Sequence, residues 1–123
     1  MVLSTEKIDD YIIVKTKFSK INYENANKFS RQTVDLIEKD NPANLAIDLG
    51  GVTYVSSIGI SALSVIKGIS KINNCNLVLF NIAEEVSETL EQTGITSMFK
   101  ILNTREEVLD YFKGELSADL TQE

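Results

Sequence analysis

The chain contains no histidine among its 123 residues, and that absence narrows the chemistry open to it. Ser-His-Asp and Cys-His nucleophilic sites are excluded, as is every His-ligated metal site. There is one cysteine, Cys75, so no internal disulfide can form and no paired Cys motif can hold a metal. Cys75 reads as a small residue near the start of a strand rather than as a reactive thiol. Carboxylate, lysine and hydroxyl groups remain. The informative ones cluster: Asp48 within an apolar run, then Gly50-Gly51, then Ser56-Ser57-Ile58-Gly59, with Ser61 just beyond.

Each of these carries a specific expectation. Gly50-Gly51 lacks the G-x-G-x-x-G spacing and has no following Gly-Lys-Ser/Thr, so it reads as a turn and not as a phosphate loop. A carboxylate inside an apolar strand is costly unless it is paired or hydrogen-bonded. Asp48 is therefore expected to accept from loop N–H groups near Ser56 and Ser57, or to sit at the exposed end of its strand. That structural role is preferred to one in phosphoryl transfer. Ser56 and Ser57 stand where a helix N-cap is expected. A helix N-terminus favours anions, so a serine there can carry a phosphate without unfolding the helix. The added charge, about −1.5 to −2, would alter a surface that a partner reads.

The elements that must position these residues follow from periodicity. A short strand near Val2-Leu3 pairs as a hairpin with Tyr11–Lys17, turning at Asp9-Asp10. After a loop over Ser19–Tyr23, a helix spans roughly Glu24–Lys39, with Asn22 as N-cap and Ala26, Phe29, Thr33, Leu36 and Ile37 inward. It stops at Asp40-Asn41-Pro42, where proline should leave Asn41 extended. Leu45–Leu49 is a short apolar strand covered on both faces. The second helix runs about Ile60–Ile72, burying Ala62, Val65, Ile66, Ile69 and Ile72, with Gly68 marking a close approach. Asn76–Ile82 is nearly continuous in apolar residues and should be a central strand.

A short helix over Glu84–Gln92 follows, with Gly94 as its C′ residue. Ser97–Leu102 reads as a strand. Thr104 and Glu107 form a capping-box pattern for a last helix that buries Val108, Leu109 and Phe112 and ends at Gly114. The order β-β-α-β-α-β-α-β-α predicts an α/β fold: a mixed, mostly parallel sheet with an N-terminal antiparallel hairpin, packed by about four helices. Residues 1–114 form one domain, and residues 115–123 a polar, acidic, disordered tail.

Composition sets the remaining bounds. Hydrophobic content is 43% and charged content 24%, ordinary globular usage, so a core needs neither metal nor disulfide. A net charge of −6 argues against nucleic-acid binding and against an anionic membrane surface. The apolar runs fall short of the ~20 residues of a membrane span, so no direct membrane insertion is expected. A lone cysteine fits a cytoplasmic setting. No cofactor or metal is implied, and no cluster of groups suggests an enzyme.

The stretch Asp48-Leu-x-x-Val-x-x-Val-Ser-Ser-Ile-Gly-Ile-Ser-Ala-Leu63 resembles the core motif of STAS domains, found in bacterial anti-sigma factor antagonists and at the end of sulphate transporters. The resemblance continues through Asn76–Ile82, Val86…Leu90…Gly94-Ile95, Phe99-x-Ile101 and the Glu107-containing helix, and takes in Asn25-Ala26. With no membrane segment in front, it is the free-standing antagonist type that the chain looks like. The resemblance implies a regulatory binding module that docks on an anti-sigma factor with a serine-kinase fold, so freeing a sigma factor. Phosphorylation at the helix N-terminus would end the binding, and a metal-dependent serine phosphatase would restore it. The family's motif is commonly Asp-Ser-Ser/Thr-Gly. Aligning Gly59 puts Ile58 in the acceptor position and Ser56 in place of the Asp. Ser57, or less favourably Ser56, is then the phosphorylation candidate. Ser56, Ser57, Ile58, Gly59 and Ser61 form the expected partner-binding surface, and Asp48 and Gly59 the structural residues of the switch loop. The alternative is a STAS-like subunit of a transport or signalling complex, acting as a constitutive, unphosphorylated contact.

Overall fold

The computed structural model of the chain describes residues 3–114. Its main sheet has five strands in the order β1-β2-β4-β6-β7: β1 (Leu3–Ile8), β2 (Tyr11–Thr16), β4 (Asn44–Asp48), β6 (Asn76–Phe80) and β7 (Lys100–Leu102). The β1–β2 pair is antiparallel and the other three pairs are parallel. A two-stranded parallel sheet of β3 (Lys20–Ile21) and β5 (Tyr54–Val55) stands beside it. The helices are α1 (Ala26–Asp40), α2 (Ser57–Ile72), α3 (Glu84–Gln92) and α4 (Arg105–Phe112). The expected mixed, mostly parallel α/β architecture with four helices is what the chain adopts.

Strand alternation divides the core into two layers. Ile12, Val14, Leu45, Ile47, Leu77 and Leu79 point to one face, where they meet Phe29 and Ile37 of α1, Leu63 and Ile66 of α2, and Val86 and Leu90 of α3. Ile13, Ala46, Val78 and Phe80 point to the other, covered by Val108 of α4 with Leu109 and Phe112. The inner strands β4 and β6 are thus apolar on both sides, which accounts for their unbroken apolar runs. The register places Ile12 beside Leu45 and Leu45 beside Leu77, so each layer is continuous across the sheet.

Several local expectations are corrected. β1 is not confined to the neighbourhood of Leu3 but runs on to Ile8, while the turn falls at Asp9-Asp10 as expected, with Asp9 at φ 52°. β3 and β5 were not legible as strands. Asn22 does not cap α1. Asn25 holds the N-cap position, its Oδ1 accepting from the Asn22 N–H and its Nδ2 donating to the Lys20 carbonyl. Asn41 is not extended but left-handed, at φ 47°. Proline excludes the right-handed helical region for its predecessor, and Asn tolerates the left-handed one, where its N–H still reaches the Ile37 carbonyl at 3.1 Å. Ile95–Met98 form a 3-10 helix, and the strand expected from Ser97 starts at Lys100. On α2, Val65 and Ile72 are exposed, and a Cβ at Gly68 would meet nothing within 4 Å. Gly68 therefore marks no close approach within the chain. Val2 and the tail expected over 115–123 lie outside the described residues.

Candidate functional site: the start of the second helix

The site is assembled where β4 ends. Asp48, the last residue of β4, is half-buried, and its Oδ1 accepts from the Gly50 N–H at 2.8 Å and from Asn81 Nδ2 at 3.1 Å. Its Oδ2 lies 3.7 Å from Lys15 Nζ. These are the partners of the carboxylate, in place of loop N–H groups near Ser56 and Ser57. It ties the loop to the end of β6, and a Cβ at Gly50 would overlap the Asn81 amide. Buried Leu49 and Val52 anchor the loop from below.

The chain then runs along the segment that leads into α1. The Thr53 N–H donates to the Ser19 carbonyl at 2.7 Å, β5 pairs with β3, and the Ser56 N–H donates to the Ile21 carbonyl at 2.9 Å. This small sheet fixes the point where α2 begins. Ser56 is its N-cap, with φ −79° and ψ 174°, and the Ser56 Oγ accepts from the Gly59 N–H at 3.2 Å. The helix therefore starts at Ser57, a turn earlier than its apolar periodicity suggests. Periodicity misses this turn because Ser57 and Ile58 both face solvent.

The five expected contact residues divide by placement. Ser57, Ile58 and Ser61 are exposed, Ile58 by 47%. Ser56 is half-buried and engaged as the cap. Gly59 is buried, and a Cβ there would come within 2.7 Å of Val55 Cγ1 and 2.8 Å of the Ile21 carbonyl oxygen. It lets α2 sit directly on β3 and β5, and it offers no side chain to a partner. Tyr54, half-exposed on β5 three residues before Ser57, adds an aromatic side chain here that no motif in the sequence signals.

Electrostatically, α2 has no Asp or Glu along its length, and Lys67 and Lys71 lie toward its C-terminal end. The positive end of its dipole lies at Ser57, and of its first-turn N–H groups that of Gly59 is taken by the Ser56 cap. Among the described residues no cluster of three or more Cys, Asp or Glu could hold a metal ion. Cys75 precedes β6 at the opposite end of the sheet, and burial pushes its thiol pKa up to about 11, which keeps it protonated and unreactive. A depression of about 420 Å³ is also at that far end, between the β1–β2 turn and the end of α1. No described helix is long and apolar enough to cross a membrane.

The site is thus a capped helix N-terminus presented beyond the end of β4 in an α/β domain. The sequence pattern of the STAS domain matches residues 3–108, and the chain belongs to the STAS domain family. It is 30% identical over 117 residues to BtrV of Bordetella bronchiseptica, which is named as a candidate anti-sigma factor antagonist; the match covers 94% of this chain and 98% of BtrV. Among solved structures, its fold is shared by a candidate anti-sigma factor antagonist of Thermotoga maritima. The TM-score there is 0.77 at 22% identity, covering 89% of this chain and 92% of that one. It is also shared by the anti-sigma factor antagonist SpoIIAA in its unphosphorylated form, with a TM-score of 0.69 at 12% identity, covering 91% and 98% of the two chains.

Proposed function

We propose that the chain is an anti-sigma factor antagonist, which docks the start of α2 on an anti-sigma factor with a serine-kinase fold. The observation that carries this reading is the exposure of Ser57, Ile58 and Ser61 together on a helix start held by Ser56 and Gly59. The chain is the substrate of the cycle, and it needs no cofactor. Ser57 is the phosphoacceptor, because its side chain is exposed while the Ser56 oxygen is committed to the cap. A phosphate on Ser57 would sit at the positive end of the helix dipole and bring like charge and hydration into the docking surface. A serine phosphatase would reverse it. Ile58, which replaces the acceptor of the family motif, serves as an apolar contact.

The test is incubation with ATP and the serine-kinase anti-sigma factors of the source organism, with site mapping by mass spectrometry and calorimetric binding. Phosphate on Ser57, with binding weakened about tenfold or more by Ser57→Asp and by Ile58→Asp, is the expected result. Binding without phosphate on Ser56 or Ser57 would leave a constitutive module. Failure to bind any such kinase, with recovery of transporter components instead, would favour a subunit of a membrane complex.

A further inference from the structure

We propose that the exposed face of α2 is a helix-docking seam along its whole length, occupied by an acid-flanked amphipathic helix of the partner; the inference rests on the antagonist reading above. Ile58, Val65 and Ile72 are 47%, 51% and 77% exposed and lie at seven-residue intervals. Aliphatic side chains at that interval stay in line for a second helix coiling along the first. Ser61 and Gly68, also exposed, fall three residues after Ile58 and Val65, where such a seam has its second row of positions. Their small size leaves two gaps between the three aliphatic side chains. A partner helix with large apolar residues seven positions apart would fill both.

Gly68 supplies an independent observation. A glycine in mid-helix weakens the helix relative to alanine. Nothing inside the chain calls for one here, since a Cβ would meet no atom within 4 Å and no positive φ is needed. A residue that costs stability without an internal reason points to a requirement outside the chain. Charge identifies the kind of partner. The chain carries a net −6, but α2 has no carboxylate, and exposed Lys71 stands directly beside Ile72. Glu or Asp flanking the apolar row of the incoming helix would meet Lys71. A second copy fits poorly, because two α2 helices would bring lysines together without acids, on two chains that repel each other.

The experiment titrates the full chain and its variants by calorimetry into the serine-kinase anti-sigma factors of the source organism. Thermal melts confirm that each variant folds. Val65→Asp and Gly68→Leu are expected to weaken binding about tenfold or more. Gly68→Ala should raise the melting temperature yet weaken binding about threefold, an opposition that a purely structural role would not produce. Lys71→Glu should weaken binding severalfold and flatten its salt dependence. If Ile58→Asp abolishes binding while the Val65, Gly68 and Lys71 variants stay within about twofold of the unmodified chain, docking is confined to the helix start. That result overturns the seam and leaves the antagonist reading standing. Binding to none of the kinases removes both. A concentration-dependent dimer that Val65→Asp abolishes would give the face to a second copy and overturn the assignment.

Discussion

Gly59→Ala and Gly68→Ala make the same chemical change in the same helix and should move stability in opposite directions. In an open helix interior, alanine is better than glycine by about 1 kcal/mol. At Gly68 nothing lies within 4 Å of the new methyl, so most of that gain should appear. At Gly59 the methyl would meet Val55 Cγ1 at 2.7 Å, the Ile21 oxygen at 2.8 Å and Ile21 Cγ2 at 3.0 Å. None of these atoms can give cheaply. Val55 and Ile21 are core residues, and the Ile21 carbonyl also accepts the Ser56 N–H that fixes the start of the helix. Overpacking of this kind costs about 1–3 kcal/mol, and disturbing that hydrogen bond adds about 1. The net for Gly59→Ala is then a loss of about 1–3 kcal/mol. The two variants should differ by about 2–4 kcal/mol, or about 8–16 °C in melting temperature for a chain of this size. Urea unfolding followed by far-ultraviolet circular dichroism measures both, provided the m-value is unchanged. A Gly59→Ala chain as stable as the unmodified one would refute the close packing of α2 on β3 and β5.

Three further changes test other parts of the frame. Ser56→Ala removes the cap and should lower stability by about 1 kcal/mol in the same urea assay, while phosphate incorporation at Ser57 continues. Asp48→Ala leaves the Gly50 N–H and the Asn81 amide without their acceptor; a loss of about 1–2 kcal/mol is expected, and hydrogen exchange should show the Gly50 amide opening faster. The Cys75 thiol, with its pKa raised to about 11 by burial, should react with a thiol reagent at pH 8 only after unfolding. Because burial favours the protonated thiol, its contribution to stability is fully present below the unfolded-state value near 9 and is lost as pH rises through about 11. A thiol labelled as fast in the native chain as in urea would contradict the buried placement.

Long-range order was legible in this sequence because each major element carries a strong local signal. The two-sided apolar runs of β4 and β6 announce inner parallel strands, and Thr104 with Glu107 announces the start of α4, where both halves of the capping box form. The misses have a common physical origin. Two-residue strands such as β3 and β5 have no periodicity to detect, since what makes them strands is the partner segment. Val65 and Ile72 read as core in the sequence because apolar residues on a helix are usually inward. The pattern fits two faces, however, and only packing shows that Ala62, Leu63 and Ile66 are buried while Ile58, Val65 and Ile72 are not. Asn22 and Asn41 illustrate the same limit at helix ends, where a polar side chain has several nearby backbone groups to choose among. At the site, the serines and the glycine were visible. Their division into cap, exposed hydroxyl and packing residue depends on one hydrogen bond and one close approach.

That division decides how a switch at Ser57 would work. The cap is supplied by Ser56 and the packing by Gly59, so Ser57 carries no structural duty that modification would remove. Negative charge in the first helical turn stabilises a helix by about 0.3–1 kcal/mol. α2 has no acid in that turn, so a negative charge at Ser57 would meet no like charge within the helix. Ser57→Asp should therefore leave the melting temperature unchanged or raise it by about 1–4 °C while weakening partner binding. Loss of affinity with retained stability would locate the switch at the interface, where charge and desolvation oppose docking. A Ser57→Asp chain that melts several degrees lower would mean that the start of α2 is itself disrupted, and the division of labour between Ser56 and Ser57 would be wrong.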